Sequence, residues 1–187
     1  MKIRIINTDP IFDYKHSCLV TKGKDVTKVS FPSDPFEWWV RQICTEHSTL
    51  RSIHFVITDT APKSCVMQII RATKGHPQPE VQSSRPDWTG QERSTNPYEH
   101  KLFQMEFTPE SFLAMCRQRL CYKTEPLTRN MVKEWVEQMK SDSDPLIKAI
   151  GYCAEPQCMY RGGVCSELES CGKFKTYKYE LILSKVK

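Results

Sequence analysis

Apolar and polar positions alternate over residues 2–7, KIRIIN, with Ile3 and Ile5 on one face, and this period of two predicts a first strand. After a turn-rich stretch, FPSDPFEWWVRQICTEH places Phe36, Trp39, Val40 and Ile43 on one side of a helix. Ser33 or Asp34 is its expected cap, with Pro35 in the first turn. IHFVITDT reads as a strand, and APKSCVMQIIRATKG as a helix opened by Pro62 and stopped near Gly75. Residues 75–100 carry glycine, proline, serine and asparagine with few aliphatics, so a long loop is expected there. KLFQMEF is a strand, and TPESFLAMCRQRLC a helix with Thr108 as cap and Pro109 at its first position. Pro126 opens PLTRNMVKEWVEQMK, in which Met131, Trp135 and Met139 recur every four residues. A short helix near 145–150 leads into a cysteine-rich segment, and KYELILSKV is expected as a closing strand. There is no internal repeat. The predicted class is α+β, a mixed sheet with several helices.

At 187 residues the chain is expected to form one domain with a real core, residues 1–150 as its body and 151–187 packed on it. With 39% hydrophobic and 26% charged residues, bulk disorder is excluded. The first residues lack the apolar region of a signal peptide, and no run approaches a membrane span. A cytoplasmic, non-membrane protein is therefore expected. The net charge of +5 suits an anionic partner, although the basic residues are scattered rather than blocked.

The chemistry concentrates after the second predicted strand. On the helix from Pro62, Ser64, Gln68 and Arg71 share one face, apart from the apolar Val66, Ile69 and Ile70. Gln68 offers a donor and an acceptor and Arg71 a five-donor fork, suited to the amide edge of a heterocycle and to a phosphate. A solvated stripe is the alternative. In EVQSSR, the hydroxyls of Ser83 and Ser84 flank the guanidinium of Arg85, a combination that suits phosphate. His76 lies in the same loop and could reach a cofactor phosphate.

EHST at 46–49, HFVIT, Gln-x-x-Arg at 68–71 and Glu-x-x-Ser-x-Arg at 80–85 together resemble the flavin-dependent thymidylate synthase family. FLAMCRQRLCYKTE extends the similarity, keeping a helical arginine, Arg117, eight residues before Glu125. The resemblance spans residues 45 to 130 and implies that fold, a homotetramer with sites between subunits, and a pyrimidine deoxynucleotide as substrate. It implies FAD as cofactor, with NADPH and methylene-tetrahydrofolate as co-substrates. Gln68 and Arg117 match the contacts to the pyrimidine ring, where they would polarise the ring carbonyls. Ser83, Ser84 and Arg85 match the nucleotide-phosphate loop, while His47, Thr49, Arg71 and Glu80 fall on the flavin side. Ala72 and Thr73 stand where the family has histidine and arginine, and the stretch from Arg71 to Arg85 is two residues longer. Uracil offers two carbonyls to Arg117 and Gln68 and cytosine one. Deoxyuridylate (dUMP) is thus the expected substrate, deoxycytidylate (dCMP) its rival, and methyl rather than hydroxymethyl the expected product.

Four of the nine cysteines, Cys153, Cys158, Cys165 and Cys171, fall on one glycine-bearing segment. Four thiolates there could close around Zn²⁺ or an iron–sulfur cluster, although no CxxC knuckle is present. Unligated cysteines or a pair of disulfides are the alternatives. The resemblance is silent on this cluster. A rival reading of the whole chain is a metal-stapled basic module that binds nucleic acid or nucleotides without catalysis, stacking bases on Trp38, Trp39 or Trp88.

Overall fold

The computed structural model describes residues 1–25, 29–72, 79–90 and 92–173, and the backbone of 176–177. In chain order the elements are β1 (Lys2–Ile5), α1 (Pro10–Thr21), α2 (Pro35–Thr45), a 3₁₀ turn (Ser48–Ser52), β2 (Phe55–Pro62) and α3 (Lys63–Ala72). They continue with β3 (Glu80–Val81), α4 (Pro86–Thr89), β4 (His100–Phe107), α5 (Pro109–Arg119) and α6 (Pro126–Lys140). α7 (Pro145–Cys153), α8 (Gln157–Tyr160), β5 (Val164–Cys165) and β6 (Thr176–Tyr177) complete the series. The class is α+β.

Five helices start in one way. Asp9, Asp34, Thr108, Glu125 and Asp144 each accept amide hydrogens of the first turn, and a proline opens the helix behind each. The side chain satisfies donors that the helix cannot, and proline has no amide hydrogen to leave unpaired. α1 occupies the stretch expected to be turns. Its apolar residues are spread around the axis, and only Tyr14 is buried, so no amphipathic stripe announces it. The expected long loop likewise contains β3 and α4. The closing strand expected in KYELILSKV lies outside the described residues.

Among the described residues the main sheet has the order β1-β2-β4-β3 and is antiparallel throughout, where a mixed sheet is expected, and the parallel pairing there is that of β5 with β6. The reason is the route of the chain. The segment after α3 returns to the end of the sheet where β2 finished, tied there by Lys63 N–H to Glu99 O and Ser64 N–H to Pro97 O, both 2.9 Å. β4 must then run back against β2. Phe55, Ile57 and Ala61 of β2 and Phe103, Met105 and Phe107 of β4 point inward and are buried. The sheet's inner face and the helices around it form one core, to which Trp39, Phe112, Trp135 and Ile150 contribute. Asp59 also lies on the inner face of β2, where its carboxylate accepts Trp135 Nε1–H at 2.7 Å. That bond gives a buried indole the partner it needs and fixes α6 against the sheet.

α7 packs against both α2 and α6. Gly151 permits the closest approach, since a Cβ built there would lie 2.8 Å from the backbone nitrogen of Lys140 and 2.9 Å from Met139 Cβ. Backbone cannot swing aside as a side-chain end can. We expect Gly151→Ala to reduce stability by a net of about 1–2 kcal/mol, the overpacking exceeding alanine's better helix propensity. A denaturant midpoint unchanged or raised by the substitution would contradict this packing.

Candidate functional site

The C-terminal end of α5 projects Arg117 and Arg119 into a cleft, and α3 brings Gln68 to it from the other side. The turn from Cys121 to Glu125, with Gln157 and Arg161 at α8, completes a cavity of about 520 Å³. Arg119 joins the two helices, its Nη2 donating to the Gln68 carbonyl at 2.6 Å. Arg117, Arg119, Lys123 and Arg161 line the cavity against the carboxylates of Glu125 and Glu167. The balance favours an anion or a ring rich in acceptors.

The two α5 arginines differ in their surroundings. Arg117 is ion-paired with Glu46, and its guanidinium carbon lies 3.4 Å from the centroid of the Tyr160 ring. Tyr160 in turn donates its hydroxyl to the second oxygen of Glu46 at 2.7 Å, a bond that raises its phenol above the ordinary pKa. Glu46 closes α2 at φ 51°, the one positive φ of a non-glycine residue among those described. Arg117 is thus held on two sides. Arg119 is not: its Nε is buried with no hydrogen-bond partner among the described residues. Burial, and then the charge of Arg71, hold its guanidinium below the ordinary pKa. A part-buried cation influenced by a second cation, with a donor unspent, is a place where a bound acceptor would relieve two costs together.

The other expected residues are dispersed. Arg71 is exposed at the end of α3. Ser83, Ser84 and Arg85 lie between β3 and α4, and none of them lines the cavity. Arg85 Nε and Nη2 meet the Asp87 carboxylate at 3.1 and 2.5 Å, its guanidinium lies over the exposed Trp88 ring, and its amide donates to Ser83 Oγ at 3.1 Å. Asp87 holds the fork as an external oxyanion would. His47 is exposed before the 3₁₀ turn, whereas Thr49 is buried with Cys18 Sγ 3.4 Å from its hydroxyl. Glu80 is exposed on β3, beside Gln104. The cavities described here are lined by none of His47, Thr49, Arg71 and Glu80, so a single chain does not gather the flavin set in them. His76 lies outside the described residues. Trp39 is buried and Trp38 packs on it, leaving Trp88 as the exposed member of the three stacking candidates.

The cysteines also divide. Cys153 sits beside Cys44 on another cavity, and its thiol is pushed up to about 12 by burial and by Cys44. Cys158, Cys165 and Cys171 line a separate cavity of about 280 Å³, together with Cys121 from the turn after α5. Among the described residues, no three His, Cys, Asp or Glu side chains stand close enough to hold a single metal ion. No helix among these residues is long and apolar enough to cross a membrane. Sequence reasoning gave Cys121 no part in the cluster, and it missed Glu46, Arg119 and Tyr160. Their proximity to the site depends on contacts 51 to 114 residues apart.

Glu125 reaches the cavity from the start of α6, where it accepts the amides of Leu127 and Thr128 at 3.0 and 2.7 Å and the Thr128 hydroxyl at 2.9 Å. Burial works to raise its pKa, but these hydrogen bonds outweigh it and leave the carboxyl below the ordinary value. A depressed folded-state pKa contributes stability above the unfolded pKa, and that contribution is lost as pH falls through the folded value. Glu125→Gln should therefore cost about 0.5–1 kcal/mol at neutral pH, a modest figure because the group is solvent-screened. The difference from wild type should close between about pH 5 and about pH 3. A gap that persists at the acid end in denaturant titrations would assign it to packing instead.

No protein-family model matches this chain. No curated protein matches it either.

Proposed function

We propose that this protein methylates C5 of a pyrimidine deoxynucleotide monophosphate, dUMP in preference to dCMP, in a flavin-dependent reaction. The observation that carries the reading is the convergence of Gln68 and Arg117, 49 positions apart in the chain, on one cationic cavity next to the unspent Arg119 Nε. These are the two residues that the family resemblance assigns to the pyrimidine ring.

In this reading Arg117, held in place by Glu46 and Tyr160, directs its remaining N–H groups at a ring carbonyl. Charge that develops on that oxygen as C5 becomes nucleophilic is met by a cation already in place, so little reorganisation is needed. Gln68 reads the adjacent amide edge with one donor and one acceptor. A turn of the Arg119 side chain on binding would bring its buried Nε to a further acceptor of the nucleotide. FAD, when bound, would supply the one-carbon transfer from methylene-tetrahydrofolate, with NADPH as the source of electrons. Because Ser83, Ser84 and Arg85 lie outside the Gln68–Arg117 cavity, we assign the phosphate contact to that loop of a second copy in a homotetramer. There the phosphate would displace Asp87 from the Arg85 fork.

The test is turnover with FAD, NADPH, methylene-tetrahydrofolate and either dUMP or dCMP, read by product mass. A gain of one methylene on dUMP alone is expected, with a loss of roughly 100-fold in kcat for Arg117→Ala. A mixture of Arg117→Ala and Arg85→Ala chains should recover part of the lost activity, since mixed oligomers would contain intact sites. No mass gain on either nucleotide would overturn the enzymatic reading. A gain on dCMP alone would overturn the choice of base, and absence of recovery would overturn the shared site.

A further inference from the structure

Cys121 leaves the end of α5 two residues after Arg119, whereas Cys158, Cys165 and Cys171 belong to the segment that follows α7. The fold brings these four thiols to the wall of one cavity of about 280 Å³. Glycines make the return possible. Gly162 and Gly163 both have positive φ, at 66° and 96°, and Gly163 N–H donates to the Cys158 carbonyl at 2.7 Å. The chain thereby doubles back after α8 and delivers Cys165, which is buried, to the same side as Cys158. Gly172, at φ 80°, allows a further turn directly after Cys171. Lys123, Lys173 and Glu167 also reach this wall. Cys153 faces another cavity, beside Cys44.

We propose that Cys121, Cys158, Cys165 and Cys171 ligate an iron–sulfur cluster. The four-thiolate set fits both a cluster and zinc, and the spacing decides between them. Zinc holds its sulfurs at about 2.3 Å, so four thiolates around it lie only about 3.8 Å apart, usually from CxxC knuckles. Here the thiols surround an open cavity, no three of the described His, Cys, Asp or Glu side chains converge at single-ion distance, and six and five residues separate Cys158, Cys165 and Cys171. A polynuclear cluster places its ligands further apart and fills such a space. Cys121, Lys123, Gln157, Ser166 and Glu167 line this cavity and the cationic one alike. The cluster would therefore clamp the segment after α7 to the end of α5 and stiffen the shared wall, whatever the cationic cavity binds.

The experiment is anaerobic reconstitution of the full chain with ferric iron, sulfide and a thiol that reduces part of the iron, followed by metal and sulfide analysis. About four of each per chain and a broad visible absorption are expected. Cys121→Ser should lose the iron, and Cys153→Ser should retain it. Thiol alkylation of the loaded wild-type protein tests the same ligand set without relying on a variant to fold. Cys121 and the exposed Cys171 should be modified in the iron-free protein and protected in the loaded one, while the exposed Cys44 reacts in both. Zinc in place of iron would overturn the cluster, as would binding of neither. Iron lost from Cys153→Ser but kept by Cys121→Ser would overturn the ligand set.

Discussion

The pairing of β2 with β4 is the constraint on which the rest of the molecule depends. The ladder runs without interruption from Phe55 opposite Phe107 to Pro62 opposite His100. Its register is enforced by burial: a slip of one residue would turn Phe103, Met105 and Phe107 to the outer face and bring Gln104 and Glu106 into the core. The consequence reaches beyond the sheet. α3 leaves β2 at Lys63 and α5 leaves β4 at Pro109, so the two helices start from opposite ends of one fixed ladder and pack against it and each other. Where they meet, Arg119 bonds the Gln68 carbonyl, and the side chains of Gln68, Arg117 and Arg119 open into one cavity. The position of the site is thus set by strand register and helix length.

The electrostatics of that cavity divide the work between neighbouring arginines. Arg117 is oriented by its ion pair with Glu46 and braced by Tyr160, which in turn holds Glu46. This closed arrangement costs one residue in left-handed backbone, Glu46, and such strain is commonly retained where geometry serves binding. Arg119 keeps an unsatisfied donor, and burial and then the charge of Arg71 hold its guanidinium below the ordinary pKa. One arginine is therefore prepared to orient a ligand, and the other gains most from its arrival.

Much of this was legible in the sequence because it is local. The segments IHFVITDT and KLFQMEF read as both central strands, and the pairs Asp34-Pro35 and Thr108-Pro109 mark helix starts through capping chemistry that is independent of the rest of the fold. Asp9-Pro10 carries the same signal, but α1 lacks an apolar stripe, so only the cap could have revealed it. Gln68 and Arg117 were identified by motif, and their convergence needed the β2–β4 register. Glu46, Tyr160 and Cys121 were not legible as site residues. Each is brought into place by tertiary contacts across long stretches of chain, for which no periodicity gives warning. The cysteine segment was visible by density alone, and density could not distinguish Cys153, which turns toward Cys44, from Cys121.

The central claim is that the cavity between α3 and α5 receives the pyrimidine nucleotide. A crystal structure of the protein with dUMP bound tests it most directly. The account predicts the uracil ring in that cavity, with a carbonyl within hydrogen-bond reach of Arg117, the Gln68 amide on the ring edge and an acceptor at Arg119 Nε. A nucleotide bound elsewhere, with the Arg119 donor still unpartnered, would contradict it.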